Sequence, residues 1–256
     1  MINYLIIGFS FLLTSCIDII TEEEFYESIY LQNSGWFEFY ENTPGSDLNV
    51  NQNYTVQLWF SGTQLADLEA PCILNINDPD MNLSIYRNTN INNQLTIYLN
   101  EQLAGEINIE NTDFNNENNF YLLSVVIDNQ MLSVYFNQNQ IFQENINQSL
   151  NPTFIVGAKK SNNAISNLWY GYIDEIRIWN ESLSQEIIDF HNQYKYKVSS
   201  SYDDNYLESL IGLWCFRLNT EGETASNIFR DENDNENYSI LYTYGSLSNE
   251  LSTNGR

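Results

Sequence analysis

The sequence predicts an all-β fold: a two-sheet antiparallel β-sandwich, or jelly roll, with one short helix. Three observations lead there. Some thirteen short β-rich runs follow one another over about 220 residues, a spacing typical of sandwiches. Asparagine accounts for 39 of the 256 residues, and asparagine both tolerates left-handed backbone and caps turns. Aromatic residues make up 14% of the chain, whereas acidic disordered chains are poor in them.

Taken in order, alternating or β-rich runs occupy residues 36–40, 54–60, 72–76, 83–86, 95–99, 105–109, 120–127, 131–136, 141–144, 153–157, 170–179, 211–218 and 239–244. The clearest hairpin joins 122–127 to 131–136 through Asp128, Asn129 and Gln130. A second turn follows at Asn137, Gln138 and Asn139. One helix is expected after Ser184, a residue type suited to the N-cap, with Ile187, Ile188, Phe190 and Tyr194 as its apolar stripe. Trp36, Trp59, Trp179 and Trp214 are expected to be buried.

Charge narrows the partners. Asp and Glu number 34 against 9 Lys and Arg, a net charge of −25. Binding to nucleic acid is excluded as a working reading, because it needs clustered cations that release condensed counterions. Docking on anionic lipid through a basic patch is disfavoured in the same way.

The N-terminus reads as an address. Residues 5–13 form an apolar stretch of signal-peptide length, too short to span a bilayer. Leu13, Thr14, Ser15 and Cys16 follow, and this resembles the bacterial lipobox, which implies a lipidated Cys16 and a membrane anchor. The expected organisation is a signal peptide over 1–15, a lipidated cysteine with an acidic tether over 16–33, and one sandwich domain over 34–256. The acidic stretch after Cys16 is either a surface-export signal or a solvated linker. The expected location is the cell envelope, at the outer membrane or cell surface. Export also leaves Cys72 and Cys215 in a compartment that permits disulfides; they are either bonded or two buried thiols.

Several spaced motifs carry a family resemblance. The strongest is GYIDEIRIWN at 171–180, followed by SLSQEI at 182–187. YTVQLWF at 54–60, LSVYFNQN at 132–139 with Gln138 where glycine is usual, FIVG at 154–157 and LIGLWCF at 210–216 occur in matching order. The chain thus resembles the concanavalin A-like lectin/glucanase superfamily, in its laminin-G-like, pentraxin-related branch, over roughly residues 34–245. The resemblance implies the same two-sheet sandwich and a function in binding glycan or an extracellular protein.

Strand alternation through 173–179 would place Ile173, Glu175, Arg177 and Trp179 on one face, with Asp174, Ile176 and Ile178 on the other. Asp174, Glu175 and Arg177 then read as a structural charge set. The glucanases of this superfamily carry a Glu-x-Asp-x-x-Glu strand motif, which is missing here, and Asp174 and Glu175 would face opposite ways. His191, the single histidine, is expected on the helix surface or at its end. The expectation is therefore a non-catalytic module. A polysaccharide-cleaving hydrolase and a structural or adhesive surface protein are the alternatives.

Ligand contact is assigned to Trp169 and Tyr170 as an aromatic platform, with amides from Asn162, Asn163 and Asn167. The competing reading packs Trp169 inside the sandwich. The resemblance also raises calcium, which takes six to eight oxygen ligands. Lys159 and Lys160 argue against it in the loop after Gly157. The remaining candidates are Asn77, Asp78 and Asp80, and the acidic run containing Asp231 and Asp234.

Overall fold

The computed structural model describes residues 26–32, 35–40, 48–64, 70–78, 80–147, 152–162, 164–195, 197–198, 205–214, 228–230, 238–243 and 251–255. Cys16, Asn163, Cys215, Asp231 and Asp234 lie outside the described residues.

The strands are, in chain order, β1 (Tyr26–Gln32), β2 (Gly35–Tyr40), β3 (Tyr54–Gly62), β4 (Cys72–Asp78), β5 (Met81–Arg87), β6 (Gln94–Leu99), β7 (Gln102–Asn108), β8 (Tyr121–Asp128), β9 (Met131–Phe136), β10 (Asn139–Asn145), β11 (Thr153–Val156), β12 (Lys159–Ser161), β13 (Ala164–Ser166), β14 (Tyr170–Trp179), β15 (Leu210–Trp214), β16 (Ile228–Arg230), β17 (Tyr238–Thr243) and β18 (Leu251–Gly255). Helix α1 (Gln185–Gln193) stands between β14 and β15. One sheet runs β10-β9-β8-β3-β14-β1-β18, with β15 also on β14. The second runs β16-β17-β2-β11-β4-β5-β6-β7, and β12 pairs with β13 alone. The pairings are antiparallel, as the hairpin-rich sequence requires.

Asparagine supplies the turns. Of the eight non-glycine residues with positive φ among those described, six are asparagine: Asn100, Asn111, Asn129, Asn137, Asn162 and Asn167. Two hairpins close on two-residue loops with both residues left-handed, Asn100-Glu101 and Asn129-Gln130. This turn shape matches the right-handed twist of the strands it joins.

The main core lies between the sheets. Tyr54, Val56, Leu58 and Phe60 of β3 face Ile73, Leu74, Ile76, Leu83 and Ile85 of β4 and β5. A smaller apolar cluster of Trp179, Leu183, Ile188, Val198, Leu210 and Leu213 fixes α1 over the outer face of the first sheet. Residues 26–32, where the sequence allows a short strand or a turn of helix after the acidic tether, are a strand and pair with β14 from Ile29 opposite Ile173 to Gln32 opposite Tyr170.

Three local expectations change. The β14–β3 register slips between Ile173 and Ile176, so strict alternation fails there. Ile173 joins Ile176 and Ile178 in the core. Asp174 and Glu175 then both meet partners of the helix-covered side, Lys195 and Arg177. Ser184 does stand at the N-cap, but its side chain makes no capping hydrogen bond. His191 does lie in the last turn of α1, but it is fully buried and not at the surface. Its ring stacks on Trp179 with centroids 5.5 Å apart, Nδ1 lies 2.9 Å from Gln57 Oε1, and Nε2 lies 3.2 Å from the Val198 carbonyl. A buried polar group needs such partners.

Candidate functional site

The described residues among those picked from sequence do not converge. Trp169 is fully buried in the core, edge-on to Phe60 at 5.6 Å between centroids. It offers no stacking platform, because inter-sheet packing takes the ring. Asn167 is left-handed, with φ 52, and ties two loops: its Nδ2 donates to the Ala70 carbonyl and its own carbonyl accepts from Cys72 N. Asn162 is exposed at the tip of the β12–β13 hairpin. Tyr170 is half-buried beside Tyr30, with centroids 5.8 Å apart.

The calcium candidate at the β4–β5 hairpin is taken up by the turn itself. Asp78 Oδ1 accepts from Asp80 N at 2.9 Å, and Asn77 Oδ1 accepts from Asn82 Nδ2 at 3.1 Å. Those are intrachain hydrogen bonds, not a convergent oxygen set, and the hairpin does not fit the six to eight ligands calcium takes. No group of three His, Cys, Asp or Glu side chains among the described residues is placed to hold a metal. Cys72 is a free, buried thiol that burial pushes well above its usual range.

A different surface gathers polar groups: the outer face of the second sheet. Here Leu74, Ile76, Leu83 and Ile85 point inward and Asn75, Asn77, Asn82 and Ser84 outward, with Ile155 an apolar residue on the outer side. The register sets Ile155 of β11 between Glu38 and Asn75, then Ser84 and Tyr98 beyond. The neighbouring row runs Thr153, Asn77 and Asn82. Asn75 is fully buried and fully used. Its Nδ2 donates to the Leu83 carbonyl at 2.9 Å and to Ser84 Oγ at 3.1 Å, and its Oδ1 accepts from Lys160 N at 3.1 Å. Asn77, Asn82, Thr153 and Tyr98 are half-buried at the edge of this floor. Tyr98 packs edge-on to Tyr86 at 5.4 Å, and burial holds the Tyr86 hydroxyl neutral by raising its pKa.

The β12–β13 hairpin stands over one side of that floor. It is seated by a small apolar cluster of Trp36, Ile155 and Ala158, with Ile165 and Leu168 packed against it. Its two lysines reach in opposite directions along the face. Lys160 Nζ donates to Glu38 Oε2 at 2.7 Å, while Glu38 Oε1 accepts from Trp36 Nε1 at 3.0 Å. Lys159 Nζ donates to Glu101 Oε2 at 2.6 Å, tying the hairpin to the β6–β7 turn. Amides, hydroxyls, a half-exposed phenol and ion-paired groups on one rigid sheet suit hydrogen bonding to a polyhydroxylated ligand. The polar alternation of 75–77 and 82–84 was visible in the sequence. The lysines' part was not, since their carboxylates lie 58 and 122 residues away.

The family model for the concanavalin A-like lectin/glucanases superfamily, of laminin-G type, matches residues 35–189, more than half of the chain. The chain belongs to that superfamily. The match runs from the start of β2 into α1 and so takes in the whole polar face from Glu38 to Lys160. No curated protein sequence matches this member.

Among solved structures, a Bacteroides ovatus protein proposed to bind carbohydrate aligns with 87% of this chain and 61% of its own, at 10% identity and a TM-score of 0.55. A heptameric SAP-like pentraxin from Limulus polyphemus aligns with 66% of this chain and 82% of its own, at 16% identity and a TM-score of 0.49. The CBM40 domain of the Ruminococcus gnavus IT-sialidase, bound to α2,3-sialyllactose, aligns with 65% and 96%, at 12% identity and a TM-score of 0.45. At these identities the likeness concerns the fold alone.

Proposed function

We propose that this superfamily member is a glycan-binding module without catalytic activity, held at the cell envelope by a lipid on Cys16. One observation carries the binding reading: the outer face of the second sheet sets Asn77, Asn82, Thr153 and Tyr98, half-buried, around the Asn75–Ser84 pair. Planar amides and hydroxyls on rigid strands pair with vicinal sugar hydroxyls, and a tyrosine adds an apolar surface for a ring face. The superfamily's lectins and the carbohydrate-binding assignment of the B. ovatus neighbour support the same reading.

The non-catalytic part rests on charge. Cleavage of a glycosidic bond takes two carboxyl groups flanking it, one of them protonated. On this face Glu38 and Glu101 are each ion-paired to a lysine of the β12–β13 hairpin and do not stand as an open, facing carboxyl pair. The envelope part rests on the apolar run at 5–13 and on Leu13 to Cys16.

A glycan array probed with residues 17–256, with and without Ca²⁺, tests the binding reading. The expected result is a defined set of bound glycans, weakened by Asn77→Ala with Asn82→Ala. Silence on the array, together with capture of a protein partner alone in a pull-down, overturns it.

A further inference from the structure

Lys159 and Lys160 are the one consecutive pair of cations in a chain of net charge −25, and both lie on the polar face. They are not equivalent. Lys160 is locked, since its partner Glu38 is only 11% exposed and is also held by Trp36. Lys159 is closed off differently. Its side chain is only 16% exposed, but that of Glu101, whose carboxylate pairs with it, is 57% exposed. An ion pair with so open a partner contributes little, so the carboxylate exchanges readily.

Glu101 also stands where the turn does not favour it. Asn100-Glu101 is a two-residue loop with both φ positive, Glu101 at φ 64, and glycine is the usual second residue of such a turn. A glutamate there bears a backbone penalty, and its carboxylate ends on Lys159.

We propose that Lys159 anchors a subsite for a carboxylate-bearing sugar, with the Glu101 carboxylate occupying the anion position in the free protein; this rests on the glycan-binding reading above. The incoming carboxylate takes over the hydrogen bond from Nζ, Glu101 swings into solvent, and the sugar hydroxyls meet the neighbouring amides and Tyr98. The chain's overall negative charge does not prevent this, because at about 0.1 M salt charges beyond roughly 10 Å are screened. The local ammonium therefore dominates.

Matched probes separate charge from everything else. The full-length chain is titrated calorimetrically with tetragalacturonate and its methyl ester, and with the methyl glycoside of N-acetylneuraminic acid and its methyl ester. Within each pair the ester removes the carboxylate charge and adds only a methyl group, and the two pairs distinguish a uronic from a sialic acid. At least one acid is expected to bind about tenfold more tightly than its ester. Lys159→Met removes that preference, Lys159→Arg keeps it, and Glu101→Gln strengthens binding of the acid severalfold by freeing the lysine.

If esters bind as well as acids, or if Lys159→Met keeps the preference, the subsite is overturned while the glycan reading stands. If these four probes and a neutral and acidic glycan array all fail to bind, both fall. Because Glu101 sits at an exposed turn, Glu101→Gln decides the matter even if Lys159→Met does not fold: unchanged affinity for the acids overturns the proposal.

Discussion

The buried polar residues of the family motif pair with one another. Arg177 is fully buried over the Trp59 ring, 4.6 Å from its centroid, and donates from Nε to Glu175 and from a terminal nitrogen to the Lys195 carbonyl. Lys195 in turn caps Asp174. Removing one partner from such a set leaves a buried charge uncompensated, at about 3–5 kcal/mol. His191 beneath α1 gives a pH signature. Burial first, and then the nearby Arg177 charge, hold its pKa well below the usual histidine value of 6.5. The folded state therefore binds fewer protons than the unfolded state just below pH 6.5, so this residue's contribution to stability is lost as pH falls through that range. Asp174 and Glu175 shift upward, mainly by burial, and act in the opposite sense. They are common to wild type and a His191→Gln variant and cancel in the comparison. Urea unfolding at pH 7.5 and 5.5 should show a smaller loss of stability on acidification in His191→Gln than in wild type. Equal losses would place the titration elsewhere.

At the scale of elements, close backbone approach decides which glycines matter. Gly171 opens β14 at φ +151, opposite Gly62 of β3. A Cβ there would lie 2.2 Å from the Ser61 carbonyl oxygen and 2.9 Å from the Gly62 Cα, both backbone atoms that cannot step aside. Gly105 of β7 is the contrast, since its Cβ would touch Phe142 at an ordinary 3.5 Å. Gly171→Ala should lower unfolding free energy by about 1–3 kcal/mol, and Gly105→Ala should stay within about 0.5 kcal/mol, both read from urea midpoints. Most of the longer strands were legible from alternation, and the asparagine turns from composition, whereas the short β12, β13, β16 and β18 were not among the runs. The slip at Asp174 and Glu175 was not, because a bulge answers to the neighbouring strand and leaves no mark in a single sequence's period. Trp169 was left between two readings for a related reason. A tryptophan before a strand looks alike whether it faces solvent or Phe60, and only the sheet-to-sheet packing distinguishes them.

For the whole molecule, the anchoring proposal has its own test. Acyl chains contribute roughly 0.8 kcal/mol per buried methylene, so a multiply acylated Cys16 holds the chain firmly. Metabolic labelling with a palmitate analogue should mark the wild type in the membrane fraction, and Cys16→Ser should lose both the label and the fraction. Labelling that survives the substitution would reject Cys16 as the lipid site. The sequence by itself determined the class of fold, the place of the hairpins and the superfamily, because side-chain period and turn chemistry are local properties written along the chain. It also determined that four cations out of nine are lysines, two of them adjacent. Only the tertiary structure decided what those two do. Carboxylates 58 and 122 residues distant meet them once the strands are laid side by side, and such pairings depend on register across the sheet rather than on any neighbour in sequence.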